Sequence, residues 1–303
     1  MRLGLRKFAN ENAQYIVLAM NEQLNKKISF AISIIQSAAE QAGKAGQPLE
    51  ICYSGGKDSD VILELAKMAL RGGQYRAIYK NTTIDPPGTI KHCKEKGVEI
   101  IQPKTTFREL IEKRGSPSRF RRHCCEVLKE YKVLDYAVVG IRRSESVKRA
   151  QRYKEPEICR VYNSKEKVRQ YLPILEWTDK DVEDFILIRG IKCHPLYYDE
   201  IGNFHVERRL GCIGCPLQSQ KQRRGEFLRF PKMLRLYVHA QQKFVDTHPN
   251  CKSREYFKDA SETFVYELYC NNIVEFREKF KDNLFDSGID CKTYLENQFG
   301  VKL

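Results

Sequence analysis

One segment constrains this chain more than any other: the short apolar run Leu49-Glu50-Ile51-Cys52-Tyr53 leads straight into Ser54-Gly55-Gly56-Lys57-Asp58-Ser59 and then into Val61-Ile62-Leu63-Glu64-Leu65-Ala66. A strand that turns on glycine into a helix opens a crossover unit, because parallel strands must be joined by a helix-length connection. The two adjacent glycines let the backbone turn tightly and present several N–H groups to one anion, and the positive end of the helix beginning near Asp58 faces the same point. Lys57 adds a mobile full charge, and Ser54 and Ser59 add hydroxyl donors. The segment is therefore built for phosphate. It is not the Gly-x-x-x-x-Gly-Lys-Ser/Thr loop, because the glycine pair stands directly before the lysine. Asp58 has two readings, a carboxylate that helps to position Mg2+ or the loop, and a carboxylate that complements a helix N-terminus.

The remaining pattern extends this unit. Helical spacing of Tyr15, Leu18, Ala19, Leu24, Ile28, Ile32 and Ile35 predicts helix over the first 44 residues, ended by Gly43, Gly46 and Pro48. Further strands are expected at residues 75–79, 98–101 and 136–141, with a fifth at 171–175, and helices at 89–96 and 107–114 lie between them. Thr178 reads as the N-cap of a helix after Trp177. From residue 225 the chain reads as helix without strand alternation, at 227–245 and 264–280. The expected fold is α/β, a doubly wound parallel sheet with ligand at the carboxyl ends of its strands. Its expected parts are an N-terminal helical region (1–47), a nucleotide-binding α/β domain (48–224) and a helical C-terminal region (225–303).

Charge and cysteine content narrow the partners. The net charge of +14 favours anionic ligands such as nucleotides or nucleic acid. Much of the excess falls in two clusters, one with Arg108, Arg119, Arg121 and Arg122 and one with Arg209, Lys221, Arg223, Arg224 and Lys232. No apolar run is long enough to span a bilayer and no signal peptide is evident, so a cytoplasmic protein without membrane association is expected. In that compartment the eleven cysteines point to thiols or metal ligation rather than disulfides.

Four cysteines stand in two pairs, Cys124-Cys125 and Cys212-x-x-Cys215, each beside one of the basic clusters. Alone, the second pair fits a zinc half-site or a redox couple, and the first fits two ordinary buried thiols. Together they fit a structural zinc or an iron–sulfur centre. Arg142 and Arg143, directly after a predicted strand end at Gly140, are suited to forked hydrogen bonds to phosphate or sulfate oxygens, with Glu145 fixing one of them.

The hexapeptide Ser54–Ser59 resembles the pyrophosphate loop of the adenine nucleotide α-hydrolase superfamily, a Rossmann-like fold, which implies ATP or an adenylyl sulfate as ligand. The two cysteine pairs resemble the 4Fe-4S ligand pattern of assimilatory adenylyl sulfate reductases, within the phosphoadenylyl sulfate reductase family. Further segments are similar in the same order: Gly140-Ile141-Arg142-Arg143-Ser144-Glu145-Ser146 with Arg149, Pro173-Ile174, Trp177-Thr178 with Asp181-Val182, and His194-Pro195-Leu196-Tyr197-Tyr198 ahead of Gly211-Cys212. The likeness spans about residues 49–216. It implies that Cys124, Cys125, Cys212 and Cys215 bind a 4Fe-4S cluster and that Asn81-Thr82-Thr83 reads the adenosine.

One departure separates the branches of that family. Sulfonucleotide reductases carry a nucleophilic cysteine in a Glu-Cys-Gly-Leu/Ile-His motif near the C-terminus, and the late cysteines here, Cys251, Cys270 and Cys291, stand in other contexts. Asn81-Thr82-Thr83-Ile84-Asp85-Pro86-Pro87-Gly88-Thr89 is more similar to the corresponding segment of Dnd-type and Ssp-type DNA phosphorothioation sulfurtransferases. The expectation is an enzyme that cleaves ATP at the α–β bond and transfers sulfur, with Lys57, Asp58, Arg142 and Arg143 at the reaction. Its expected partners are DNA or RNA and a sulfur donor such as a cysteine desulfurase. The alternative is a reductase that releases sulfite, with thioredoxin or a similar thiol as electron donor and Cys291 or another cysteine as nucleophile.

Overall fold

The computed structural model describes residues 2–162, 164–281 and 290–303, and the side chains of residues 2–21 lie outside that description. The predicted apolar positions Tyr15, Leu18 and Ala19 fall among those side chains. The first helix, α1 (Arg2–Lys44), leads into β1 (Leu49–Tyr53), α2 (Lys57–Ala69), β2 (Tyr75–Lys80), α3 (Thr89–Glu95) and β3 (Glu99–Ile101). Then come α4 (Phe107–Arg114), α5 (His123–Leu128), β4 (Tyr136–Val138), α6 (Val147–Arg152), β5 (Glu157–Tyr162), β6 (Glu166–Tyr171) and α7 (Asp179–Arg189). The chain ends in α8 (Gln220–Arg229), α9 (Pro231–Thr247), α10 (Ala260–Tyr269), α11 (Ile273–Phe280) and α12 (Cys291–Phe299).

One sheet holds all six strands in the order β3-β2-β1-β4-β6-β5. Every pairing is parallel except β5 with β6. The order reverses between β1 and β4, so a crevice opens at their carboxyl ends, where an open α/β sheet takes its ligand. The phosphate loop leaves β1 at that point, and the segment Gly140–Arg142 leaves β4 there. β1 is buried along nearly its whole length, as an apolar strand between helical layers must be.

The fifth strand expected at 171–175 is corrected: the strand is β6, which ends at Tyr171, and β5 before it went unread. The reason is visible in β5, whose residues alternate exposed and half-buried, with Glu157, Cys159 and Val161 outward. An edge strand with one wet face carries too little apolar signal to stand out. The helix read at 227–245 is two helices, because Pro231 supplies no N–H to the turn before it and instead opens α9 at its first position.

The chain divides into two compact units, and the division does not follow the expected boundaries at 47 and 224. The first comprises Met1–Lys80, Pro87–Ile101 and Tyr131–Leu210, and the second Asn81–Pro86, Gln102–Glu130 and Gly211–Leu303. In the first, Leu49, Ile51, Val61, Ile62 and Leu65 form a core with Ile35, Ala38 and Ala42 of α1 and with Trp177 and Phe185. In the second, Phe107, Leu110 and Ile111 of α4 pack with Leu234 and Tyr237 of α9, Phe227, Phe264, Phe276 and Phe299. Helix caps recur at the polar boundaries: Thr178 Oγ1 accepts from Asp181 N at 3.2 Å, as expected for the start of α7, and Thr106 does the same for α4.

Candidate functional site

In the first unit the phosphate loop is drawn tight by its own serines. Gly55 turns the chain at φ +79°, Ser59 Oγ donates to Gly56 O at 2.7 Å, and Ser54 Oγ donates to Ser59 Oγ at 3.2 Å. Gly56 is the N-cap of α2 and has no side-chain cap; of the first-turn amides, Lys57 N is taken by the Tyr197 hydroxyl and Ser59 N by Gly56 O, while the positive end of the helix still faces the loop. Gly140 crosses directly over this turn, where a Cβ would stand 3.3 Å from the Asp58 carbonyl.

The expectation of a mobile, outward Lys57 is corrected. The residue is only 5% exposed; its backbone N–H donates to the Tyr197 hydroxyl at 3.2 Å, and its ammonium lies 3.3 Å from Asp58 and 5.6 Å from the centre of the Tyr197 ring. Tyr197 acts as a lid on the lysine stem. A charge so enclosed is pre-oriented, and it gains more from an arriving anion than a solvated one does.

Arg142 is also buried, at 1% exposure, and its guanidinium is shared among Asp58 Oδ1 (2.6 Å), Asp179 Oδ1 (2.7 Å) and Ser144 Oγ (3.0 Å). It ties the first turns of α2 and α7 together. With Arg142 and Lys57 already on it, Asp58 acts on the loop rather than offering a free carboxylate to Mg2+. Arg143 spends its guanidinium on the carbonyls of Tyr153 and Lys154 and on Glu176. Glu145 holds Arg149 rather than the side chain of Arg142 or Arg143. Burial and the neighbouring charge of Arg209 push the Arg149 guanidinium down, and Asp58 and Arg142 also act on it. Arg209 donates to Glu145 O at 2.9 Å. Arg149 and Arg209 thus lie together at Glu145, while Arg142 and Arg143 are engaged with carboxylates and carbonyls.

Sequence reasoning also missed a buried carboxylate beneath the loop. Asp60 accepts from the Tyr53 hydroxyl at 2.5 Å, has His92 Nε2 3.1 Å from both oxygens, and has the Lys96 ammonium at 3.8 Å. His194 stands edge-on to His92 at 5.8 Å and accepts from Leu196 N at 3.2 Å. These residues fix β1, α2 and α3 around the loop; nothing in local spacing would have joined them.

The second unit holds Asn81, Thr82, Thr83 and all four paired cysteines. Cys124, Cys125, Cys212 and Cys215 line one cavity with Thr82, Lys129 and Tyr237. Thr82 is buried and donates to Asp85 Oδ2 at 2.6 Å, while the Cys212 sulfur lies 3.6 Å from Thr82 Oγ1 and 3.5 Å from Asp85 Oδ1. Thr83 accepts from Phe107 N at 2.9 Å, and Asn81 donates to Gln102 at 2.8 Å. Gly214 makes the Cys-x-x-Cys turn at φ +71°, where a Cβ would meet the Phe227 ring at 2.4 Å. Only glycine fits there.

The thiols are not equivalent. Cys125 is lowered to about 6 by a hydrogen bond from the Cys124 thiol and by Arg122, against the effect of burial, while Cys124 moves up as its donor. Burial pushes Cys212 up to about 11 against the pull of Lys129. Burial opposes the charge of Lys129, but Cys212 and Asp85 outweigh it and push the ammonium up. Both ring nitrogens of the buried His123 lack a hydrogen-bond partner. Among the described residues no three His, Cys, Asp or Glu side chains are grouped closely enough to hold a single metal ion. A set of four thiols around one cavity, with cationic Lys129 and Arg122 beside it, is a suitable donor set for an anionic iron–sulfur cluster.

The family model for the phosphoadenosine phosphosulfate reductase domain matches residues 48–218. The chain belongs to this family. The match contains the phosphate loop, the Gly140–Glu145 segment and all four paired cysteines. An uncharacterized protein from Methanocaldococcus jannaschii is 29% identical over 241 residues, covering 74% of this chain and 54% of that protein. The phosphoadenosine 5'-phosphosulfate reductase of Alkalilimnicola ehrlichii is 34% identical over 74 residues, 23% of this chain and 27% of that protein. The chain spans about half the length of the first curated relatives it matches. Among solved structures, the phosphoadenylyl-sulfate reductase from Candida auris aligns at 18% identity with a TM-score of 0.38, over 56% of this chain and 87% of that one. The family is named for a domain that acts on phosphoadenosine phosphosulfate, an adenine nucleotide. No helix among the described residues is long and apolar enough to cross a membrane.

Proposed function

We propose that this family member binds ATP at the phosphate loop, cleaves it at the α–β bond and transfers sulfur to a nucleic acid, with a 4Fe-4S cluster on Cys124, Cys125, Cys212 and Cys215. The uncapped first turn of α2 and the enclosed Lys57 receive phosphate, and Arg149 and Arg209 offer further charge to it. An acceptor oxygen attacks the α-phosphorus and pyrophosphate leaves; hydrosulfide, supplied as such or released from a cysteine desulfurase persulfide by a thiol reductant, then attacks the activated centre and AMP leaves with the oxygen. A cluster held by all four thiols would have every iron ligated by cysteine, so it would supply charge and structure beside the site rather than an open position for sulfur. Lys129 and Arg122 balance the negative charge of the thiolates there.

The observation that carries this reading over a sulfite-releasing reductase is the state of Cys291. It is 9% exposed at the start of α12, and burial pushes its thiol up to about 12, so little thiolate is present at neutral pH. Cys270 is likewise buried and pushed up. Neither is prepared to attack a sulfonucleotide. The test is transfer of radioactive sulfur from labelled sulfide to a nucleic acid by anaerobically purified protein. Label should enter only with ATP and should be lost in Cys124→Ser; incorporation that is independent of ATP would overturn the proposal.

A further inference from the structure

Phe120 is 97% exposed, the most solvent-accessible of the large apolar side chains in the described residues. It is not on a loose end. Ser118 N donates to Arg121 O at 3.2 Å, and Ser118 Oγ accepts from Phe120 N at 3.3 Å and Arg121 N at 3.2 Å, which closes a tight turn with Phe120 at its tip. Arg119 anchors the turn by donating to Pro216 O at 3.1 Å and Gln218 O at 3.0 Å, in the segment directly after Cys215. The turn is thus fixed between the two cysteine pairs in sequence and bonded to the loop that carries the second.

A cavity of about 770 Å³ opens beside it, lined by Phe120, Arg119, Lys221, Arg224, Tyr266 and Asn271 among others. Pro216 stands in the wall of both this cavity and the one lined by the four thiols. Arg121, Arg122 and Lys221 are exposed around the aromatic tip. A solvent-facing aromatic on a hydrogen-bonded turn, with Lys221 and Arg224 lining the same cavity and Arg121 next in the chain, suits the face of a nucleobase with its phosphates. It suits a duplex poorly, because paired and stacked bases present no free face to a single ring.

We propose that this groove binds a single-stranded nucleic acid segment, with one unpaired base stacked on Phe120 and its flanking phosphates on Arg121 and Lys221, beside the four cysteines. The inference rests on the nucleic-acid reading above and narrows it to unpaired bases. An acidic polypeptide shares the phosphate charge but lacks flat π faces, so the exposed ring favours the nucleic acid.

Fluorescein-labelled dT12, rU12 and a 12-base-pair duplex, titrated into the full-length protein across a salt series, test it. The single strands should bind at least tenfold tighter than the duplex. Phe120→Ala should weaken single-strand binding by about 5- to 100-fold, the range for loss of one stacked base, without changing the salt slope. Arg121→Ala and Lys221→Ala should each reduce that slope by about one. In Phe120→Trp the new indole should be quenched by dT12, while the native Trp177, 2% exposed, should not respond. Equal binding of duplex and single strand, unaffected by Phe120→Ala, would overturn the stacking site while leaving a nucleic-acid acceptor in place. Failure to bind any of the three probes at low salt would overturn both. Binding of polyglutamate but not of dT12 or rU12, weakened in Phe120→Ala, would assign the groove to an acidic polypeptide and overturn the proposal.

Discussion

Arg142→Met should destabilise the first unit by about 3 kcal/mol, at the lower end of the range for breaking a buried ion pair. The substitution keeps an apolar stem out to about the position of Nε and removes the rest of the guanidinium. Asp58, 16% exposed, would lose its 2.6 Å partner and keep Lys57 at 3.3 Å, so its desolvated charge would be only partly compensated. Asp179 would lose a 2.7 Å partner but is 58% exposed, and water can replace it. These two facts place the cost nearer the bottom of the range than the top. Urea unfolding followed by fluorescence of Trp177, the single tryptophan, reads the unit in which the pair lies, because the Trp177 carbonyl is itself bonded to Ser144 Oγ at 2.9 Å. The double variant Asp58→Asn/Arg142→Met should recover at least about 1 kcal/mol of the loss, since it no longer strands a carboxylate. A loss below about 1 kcal/mol in Arg142→Met, or strict additivity in the double variant, would refute the reasoning.

Three further outcomes are expected. Lys57→Ala should weaken ATP binding about 10- to 100-fold by calorimetry, the loss of one charge-assisted contact, and an unchanged affinity would remove the loop assignment. Asp181→Asn should cost about 1–2 kcal/mol at neutral pH, since Asp181 pairs with Lys27 at 2.6 Å and serves the Thr178 cap. Burial alone would raise the Asp181 carboxyl, but Lys27 and Thr178 outweigh it and hold it below the ordinary range. Its contribution is therefore complete above an unfolded-state value of about 3.9 and is lost as pH falls through the lower folded value, so parent and variant melting curves should converge near pH 2–3. Replacing any one of Cys124, Cys125, Cys212 or Cys215 by Ser should bleach the brown colour of anaerobic protein and lower its iron and sulfide content; stoichiometric zinc without iron or sulfide would overturn the cluster.

The central sheet was legible because its strands announce themselves locally. β1 is apolar apart from Glu50 and leads through Ser54 into two glycines, and β2 carries the apolar run Ala77-Ile78-Tyr79. β5 and β6 were hidden because an edge hairpin buries little of its apolar surface: every residue of β5 is exposed or half-buried, and β6 exposes Glu166, Lys167 and Arg169. The four cysteines were legible as a set, and the cavity they line brings them together from positions far apart in the chain. Partnerships of charge were not legible. Arg142 and Arg143 are adjacent in sequence, yet one is buried on Asp58 and Asp179 while the other tethers the Tyr153 carbonyl. Which arginine faces a ligand depends on carboxylates delivered by α2 and α7, and the sequence order contains no record of that meeting. The same holds for Asp60 and His92, which are joined only once β1, α2 and α3 are stacked.

The most direct test of the account is a single comparison of products, with cluster-loaded protein held anaerobically and offered either ATP with a single-stranded nucleic acid and sulfide, or adenylyl sulfate with reduced thioredoxin. The account predicts AMP and pyrophosphate from the first mixture and no sulfite above background from the second. Sustained sulfite release from adenylyl sulfate, abolished in Cys291→Ser, with no pyrophosphate formed from ATP, would contradict it and identify the protein as a reductase.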